Sequence, residues 1–411
     1  MKNKQCLKRN FKGLVAVFLT IILLGLSIGI SYISNNDILA SALTISDDSL
    51  KSISILADDN QNYIKYSEKI REVDGFANKT ILDIKFIKDF NGNLYVDVEC
   101  NPCGYLIFDY DTDTLLEFSE DSVSPYQGYN GELIYGGPTH YFIEHASYKH
   151  TANVFYTIDL MTNKTTELSK DTFNAYKTNN SEIRKKIVEK TSKNNNLTEN
   201  KNLNISPNAS TITNGDWSHT YIDNYTYISQ CTSFGYNSQG TCGYIAAGLL
   251  LYYAYRQYNT AFIDSQYITS NGFTDSFHWY LVNLGVSLGL KYDTWAADID
   301  PLMNKYLKNR VPTATHNYTL LADRKRNVIS IAANNPFILF GNFIDVRKPG
   351  QNLKINHAIT AFGYSTYNPN IFVNDFYFKV HYGYNGYTNV SLLDSIFTNP
   401  IGSVFYLQSH K

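Results

Sequence analysis

Between residues 176 and 215 the chain changes character. Lys, Asn, Ser, Thr and Glu dominate, aromatic residues nearly vanish, and Asn194, Asn195 and Asn196 stand at the centre. Such a stretch buries too little apolar surface to offset the entropy of ordering it, which predicts a disordered linker open to proteolysis. The 411-residue chain is otherwise 44% hydrophobic, enough for at least one sizeable core. The sequence thus divides into a leader, a first globular part over 43–175, the linker over 176–215 and a second globular part over 216–411.

The leader opens with a basic head: Lys2, Lys4, Lys8, Arg9 and Lys12. An uncharged apolar run follows from Leu14 to Ile30, and then a small-x-small site at Ala40-Ser41-Ala42. This is the layout of a secretory signal cleaved after Ala42. The run is also long enough, at the lower limit, for an uncleaved membrane anchor. Both readings put the bulk of the protein outside the cytoplasm. The near-neutral formal charge of -2 gives no electrostatic reason for nucleic-acid binding.

The first part reads as strands. Asp83–Lys88 alternates, Asn91-Gly92 turns the chain, and Leu94–Val98 alternates again, a strong hairpin pattern. The pairs Tyr105–Phe108 with Leu115–Phe118, and Val154–Asp159 with Thr165–Leu168, extend this into a small antiparallel α+β domain. The second part begins with helices. The run from Cys242 is apolar nearly all round and predicts a buried helix. Further helices are predicted over Phe277–Leu288 and Asp298–Lys308. Strands follow at 336–340, 357–362, 376–380 and 403–407, a segregated α+β layout.

Cys242 carries the chemistry. A polar loop, Ser238-Gln239-Gly240-Thr241, delivers it to the start of that helix. Helix N-termini favour negative charge, and a thiolate there, next to an imidazolium, becomes an effective nucleophile. Alone, a cysteine at a helix start is more often a small core residue. His357 changes the balance. It heads an apolar strand far downstream, the arrangement expected of a nucleophile and base that face each other across a helix–sheet cleft.

The loop-Cys242-Gly243 opening and the His357-Ala358 strand resemble papain-like cysteine peptidases. Val380-His381-Tyr382-Gly383-Tyr384-Asn385-Gly386 resembles the Val-Asn-Trp-Gly-Trp-Gly-Gly strand end of the streptopain family. Cys103-Gly104-Tyr105 with Leu115–Ser119 and Ser124-Pro125-Tyr126 is similar to that family's inhibitory propeptides. The resemblance implies a papain-like α+β catalytic domain, a helical subdomain packed on an antiparallel sheet, behind a propeptide that inhibits it in cis. It implies peptide substrates, no cofactor and no metal. Carried over, Cys242 is the nucleophile and His357 the general base. His381 stands where the family has the orienting Asn, with Asn374 and Asp375 as alternatives. Gln239 and the Cys242 N–H are the oxyanion donors, although Gln239 lies closer to the cysteine than the family's Gln. The departures at His381 and Gln239 leave two further readings open: a non-catalytic surface binding protein on a decayed peptidase fold, or an acyltransferase using the same pair.

Other patterns are weaker. Asp109, Asp111 and Asp113 with Glu120 imitate a calcium loop, but Thr114 replaces the required Gly and the flanks are strands, so a polar turn is expected. His140, His145 and His150 recur every five residues, which suits neither a helix face nor a strand face. Cys100-Asn101-Pro102-Cys103 follows a strand rather than preceding a helix, unlike a redox pair. Tyr244, Tyr252, Tyr253, Tyr364 and Tyr384 are candidate groove residues. Cys231 is a candidate partner for Cys242 in an inactive disulfide.

Overall fold

A computed structural model describes residues 61–144, 154–194, 210–237, 240–292, 294, 296–319, 331, 333–342, 356–370, 373–397 and 404–408. The leader, Gln239, His145 and His150 lie outside the described residues. Among the described residues no helix is long and apolar enough to cross a membrane. The chain groups into two compact units, residues 1–82 with 100–103, and residues 83–99 with 104–411. The described part of the first begins with a helix over residues 61–72. In the same unit Lys79 Nζ donates to the Cys103 carbonyl at 2.7 Å.

The rest is a mixed α+β structure on one large sheet. Its first eight strands are β1 (Thr80–Lys88), β2 (Leu94–Asn101), β3 (Tyr105–Asp109), β4 (Leu115–Ser119), β5 (Leu133–Tyr135), β6 (Tyr141–Glu144), β7 (Val154–Asp159) and β8 (Lys164–Ser169). Then come β9 (Ser210–Asn214) and β10 (Trp217–Tyr221), a two-stranded hairpin β11 (Ile268–Thr269) and β12 (Gly272–Phe273), and β13 (Thr315–Thr319). The last five are β14 (Phe337–Asn342), β15 (Asn356–Asn370), β16 (Val373–His381), β17 (Val390–Leu393) and β18 (Val404–Gln408). The main sheet runs β13-β18-β14-β15-β16-β17-β4-β3-β2-β1-β5-β6-β7-β8, with β10 also pairing β15.

The two halves that the sequence separates are therefore hydrogen-bonded into one sheet. Strand β4 pairs antiparallel with β17, Phe118 opposite Ser391 and Glu117 opposite Leu392. The strand Leu115–Ser119 is buried throughout. Ser119 Oγ donates to the Asn389 carbonyl at 2.8 Å, and Tyr377 Oη to the Leu115 carbonyl at 3.2 Å. Phe118 packs edge-on against both Trp217 and Tyr377.

A 25-residue helix, Lys170–Asn194, occupies much of the segment predicted to be a disordered linker. Its composition is polar because most of its surface is solvated. A narrow stripe of Tyr176, Asn180, Ile183 and Ile187 is buried, at spacings of three and four that keep one helix face inward. Asn180 Nδ2 donates to the Tyr135 carbonyl at 3.3 Å, and Asn179 Nδ2 to the Gly136 carbonyl at 2.9 Å. Arg184 pairs with Asp109 and Asp111. This pairing, with the Thr112 N–H on Asp109 Oδ1 at 2.8 Å, makes the Asp109–Asp113 segment a polar turn closed by a cation from the helix. Ile187 is fully buried. Ile187→Ala is expected to destabilise the chain by roughly 2–5 kcal/mol in urea unfolding, whereas exposed Val188→Ala stays within about 0.5 kcal/mol.

On the C-terminal side the helix Cys242–Gln257 is buried from Cys242 to Ala254. It packs with Asp275–Ser287 and Ala296–Arg310 around Phe277, Leu281, Ile299 and Leu302, and against Ile338, Phe340 and Ala358 of the sheet. The Asp275–Ser287 helix is capped by Thr274, whose hydroxyl accepts from the Phe277 N–H at 3.3 Å.

Candidate active site

The loop before the helix turns at Gly240, whose φ of 78° lies in the left-handed region. Cys242 is the first residue of the helix, with its Sγ 3.8 Å from the Gly240 carbonyl, and is only 5% exposed. Gly243 is required by packing: a Cβ there would collide with Thr294 and crowd Ile299. The Cys-Gly pair thus lets the positive end of the helix seat tightly while the sulfur stays at its tip. Thr241 Oγ1 donates to Asn237 Oδ1 at 3.4 Å, and Asn237 Nδ2 donates to Tyr384 Oη at 3.2 Å.

His357 lies near the head of β15 and is 4% exposed. Its Nε2 is 2.7 Å from the Tyr382 carbonyl, which can only accept, so Nε2 carries the proton and Nδ1 is left as the basic nitrogen. The Tyr384 ring stacks on the imidazole, with centroids 5.2 Å apart and planes at 11°. Burial pushes the His357 pKa down to about 3, the Tyr382 carbonyl opposes this, and nearby His140 lowers it further. Tyr384 also interacts electrostatically with Cys242. Burial raises its pKa, and charge on Asp159 and on Cys242 raises it further. Through Tyr384 and Asn237 the imidazole is linked by contacts to Thr241, the residue before Cys242.

The other predicted site residues are placed differently. His381 does not hydrogen-bond to His357. Its Nε2 donates to the Cys231 carbonyl at 3.0 Å and its Nδ1 accepts from the Gly383 N–H at 2.9 Å, so both ring nitrogens are occupied. Asp375 stands opposite Tyr367, ten residues along β15 from His357, or roughly 33 Å at about 3.3 Å per residue. It forms an ion pair with Lys190 at 2.7 Å. Asn374 adjoins it at the same far end of β16. The group that meets His357 Nε2 is instead the Tyr382 backbone carbonyl, which no side-chain pattern announces. Of the candidate groove tyrosines, Tyr384 borders the site. Tyr244 donates to the Lys291 carbonyl and Tyr253 to the Asp223 carbonyl, Tyr252 is buried, and Tyr364 stacks on Phe376. Cys231 is in no disulfide, and burial pushes its thiol up to about 12.

Side chains from the first half act electrostatically on this cluster. His140, on the β5–β6 turn, is close enough to His357 to affect its charge, and Asp159 and Tyr176 stand in the same relation to Tyr384. Lys164, the first residue of β8, lies over the ring of Tyr236, in the loop that leads to Cys242, at 5.6 Å. Beneath Tyr382 is a buried acid. Glu117 accepts from Tyr141 at 2.6 Å, Tyr105 at 3.3 Å and Tyr382 at 3.1 Å. Burial raises its pKa to about 7 against those hydrogen bonds. Asp97, also fully buried, is raised by burial to about 8, opposed by its 2.6 Å bond from Ser124.

No protein-family model and no curated protein matches the chain. Among solved structures, a fragment of prointerpain A from Prevotella intermedia aligns at 10% identity with a TM-score of 0.34, covering 79% of this chain and 98% of the fragment.

Proposed function

We propose that the chain is the precursor of an exported cysteine peptidase, with Cys242 as nucleophile and His357 as base. The observation that carries this reading is the cluster at Tyr384: its ring is stacked on His357, and its hydroxyl is tied through Asn237 to the residue that precedes Cys242. His357 donates from Nε2 to a carbonyl, which leaves Nδ1 to take the thiol proton. The thiolate adds to the scissile carbonyl carbon, the imidazolium returns its proton to the leaving amine, and water then hydrolyses the thioester. The Cys242 N–H at the helix tip is suited to the developing oxyanion; Gln239 is the side-chain candidate for the same role.

In the precursor His357 is buried and neutral, which disfavours the thiolate–imidazolium pair. In this reading the first half holds the cluster closed in cis, and cutting the connection near residues 195–209 would let it leave. The leader would export the chain or anchor it. The test is alkylation. The full chain, incubated until processing stops, is treated with iodoacetamide at pH 7 and mapped by peptide mass. Modification is expected at Cys242 with Cys231 untouched, because the latter is buried and held as a thiol. Labelling that skips Cys242 overturns the proposal.

A further inference from the structure

The peptide unit between Tyr382 and Gly383 is hydrogen-bonded on both edges. Its carbonyl accepts from His357 Nε2–H at 2.7 Å, and its N–H donates to His381 Nδ1 at 2.9 Å. His381 Nε2–H donates in turn to the Cys231 carbonyl at 3.0 Å. Both outer acceptors are carbonyls, so the tautomers are fixed: each imidazole carries its proton on Nε2, and His381 offers Nδ1 as an acceptor. The four groups form one directional chain, His357 to peptide to His381 to Cys231, in which each bond polarises the next.

The backbone is shaped for this chain. Gly383 adopts φ 75°, a conformation that bulky side chains resist, and it folds the N–H back onto the ring two residues earlier. His381 is fully buried, with the Phe234 ring against it edge-on at 4.9 Å. Burial takes its pKa down to about 4, so the ring stays neutral above that pH and Nδ1 keeps its lone pair. Without an acceptor there, the Gly383 N–H would be a buried donor lacking its partner, and the peptide plane would be free to rotate away from His357.

We propose that His381 is a positioning residue for His357: by holding the Gly383 N–H it fixes the peptide plane whose carbonyl orients the catalytic imidazole. The orienting group is thus a backbone carbonyl, and the histidine acts one step behind it. This rests on the reading of His357 as the base, so the test needs a readout that does not depend on turnover.

Asn and Leu have nearly the same shape, but only Asn can accept from the Gly383 N–H. His381→Asn and His381→Leu are therefore compared in the full chain carrying Cys242→Ala, with histidines labelled with 15N and their tautomers read by long-range proton–nitrogen NMR. His357 is expected to be Nε2–H in the parent and in His381→Asn, and a mixture of tautomers in His381→Leu. In chains that keep Cys242, His381→Leu is expected to lower kcat roughly 10- to 100-fold with KM little changed, and His381→Asn to restore it to within about threefold. An unaltered His357 tautomer in the Leu variant overturns the proposal, as does an altered one in the Asn variant. The Asn result stands by itself if the Leu variant does not fold. The expected tautomers in a chain without hydrolytic activity would uphold the relay and overturn only the peptidase reading.

Discussion

A Cys242→Ala chain is expected to hydrolyse peptides at least about a thousandfold more slowly than the parent and to remain at full precursor mass. Removal of a nucleophile that acts with its base as a unit commonly costs more than this, because the residual rate comes only from binding and oxyanion contacts. The fold should tolerate the change. Alanine is smaller than cysteine, is well suited to the first turn, and leaves the contact of Gly243 with Thr294 untouched. The measurement is turnover of a fluorogenic peptide library, with a circular-dichroism spectrum and a urea midpoint to establish that the variant is folded. Hydrolysis at the parent rate by a folded Cys242→Ala chain would remove the peptidase reading. Loss of turnover on this single change would exclude a purely binding protein. Supplying amine acceptors to the active chain separates hydrolysis from acyl transfer.

The second large effect is in pH. Glu117 keeps its proton in the folded chain up to about 7, against 4.5 for an unperturbed group, because burial disfavours its charge. An acid raised in this way contributes fully below pH 4.5. Its contribution then falls by about 1.4 kcal/mol per unit as pH rises to about 7, and is constant above. Four histidines act in the opposite sense. His140, His278, His357 and His381 are all held below 6.5 by burial, so the stability tied to their neutral form is present above 6.5 and is lost in acid. The parent's pH profile is therefore a sum of opposing slopes, and the difference between Glu117→Gln and the parent isolates one of them. That difference is expected to change in favour of the variant by about 3 kcal/mol between pH 4.5 and 7, read from urea midpoints. A flat difference across this window would contradict the assignment. The three hydroxyls around Glu117 come from β3, β6 and the residue after β16, so the same ionisation loosens the join between the two halves. Asp97, raised from 3.8 to about 8, adds a slope of the same sign.

Much of the C-terminal half is legible in the sequence because its signals are local. The run from Cys242 is apolar on every face and forms the buried helix Cys242–Gln257. The Phe277–Leu288 pattern is found as Asp275–Ser287, displaced by Thr274 capping two residues earlier than the apolar residues indicate. The Lys170–Asn194 helix is hidden for the opposite reason. Its inward stripe is only a few residues wide, so average composition describes its solvated faces. The pairing of β4 with β17 joins strands far apart in the chain, and nothing in either strand names its partner.

At the candidate site, the sequence names side chains but not the direction in which they point. The resemblance sets His381 where the family has its orienting Asn, but its ring meets the Cys231 carbonyl and the Gly383 N–H, beside a glycine at φ 75° that no side-chain pattern announces. The Tyr382 carbonyl is invisible to side-chain reasoning, since every residue carries one. Glu117, in the middle of Leu115–Ser119, looks like the solvated position of an alternating strand. It is buried because three tyrosines from elsewhere converge on it.

Under the proposed maturation, the seam at Ser391 and Leu392 would have a consequence for the C-terminal half. Once β4 departs, the strand Val390–Leu393 becomes the rim of its sheet, with amides and carbonyls that have lost their mates. It is short, and one face is apolar. Two freed molecules would then be able to zip together along that rim, and on that proposal the first half would guard against clumping for as long as it stayed attached.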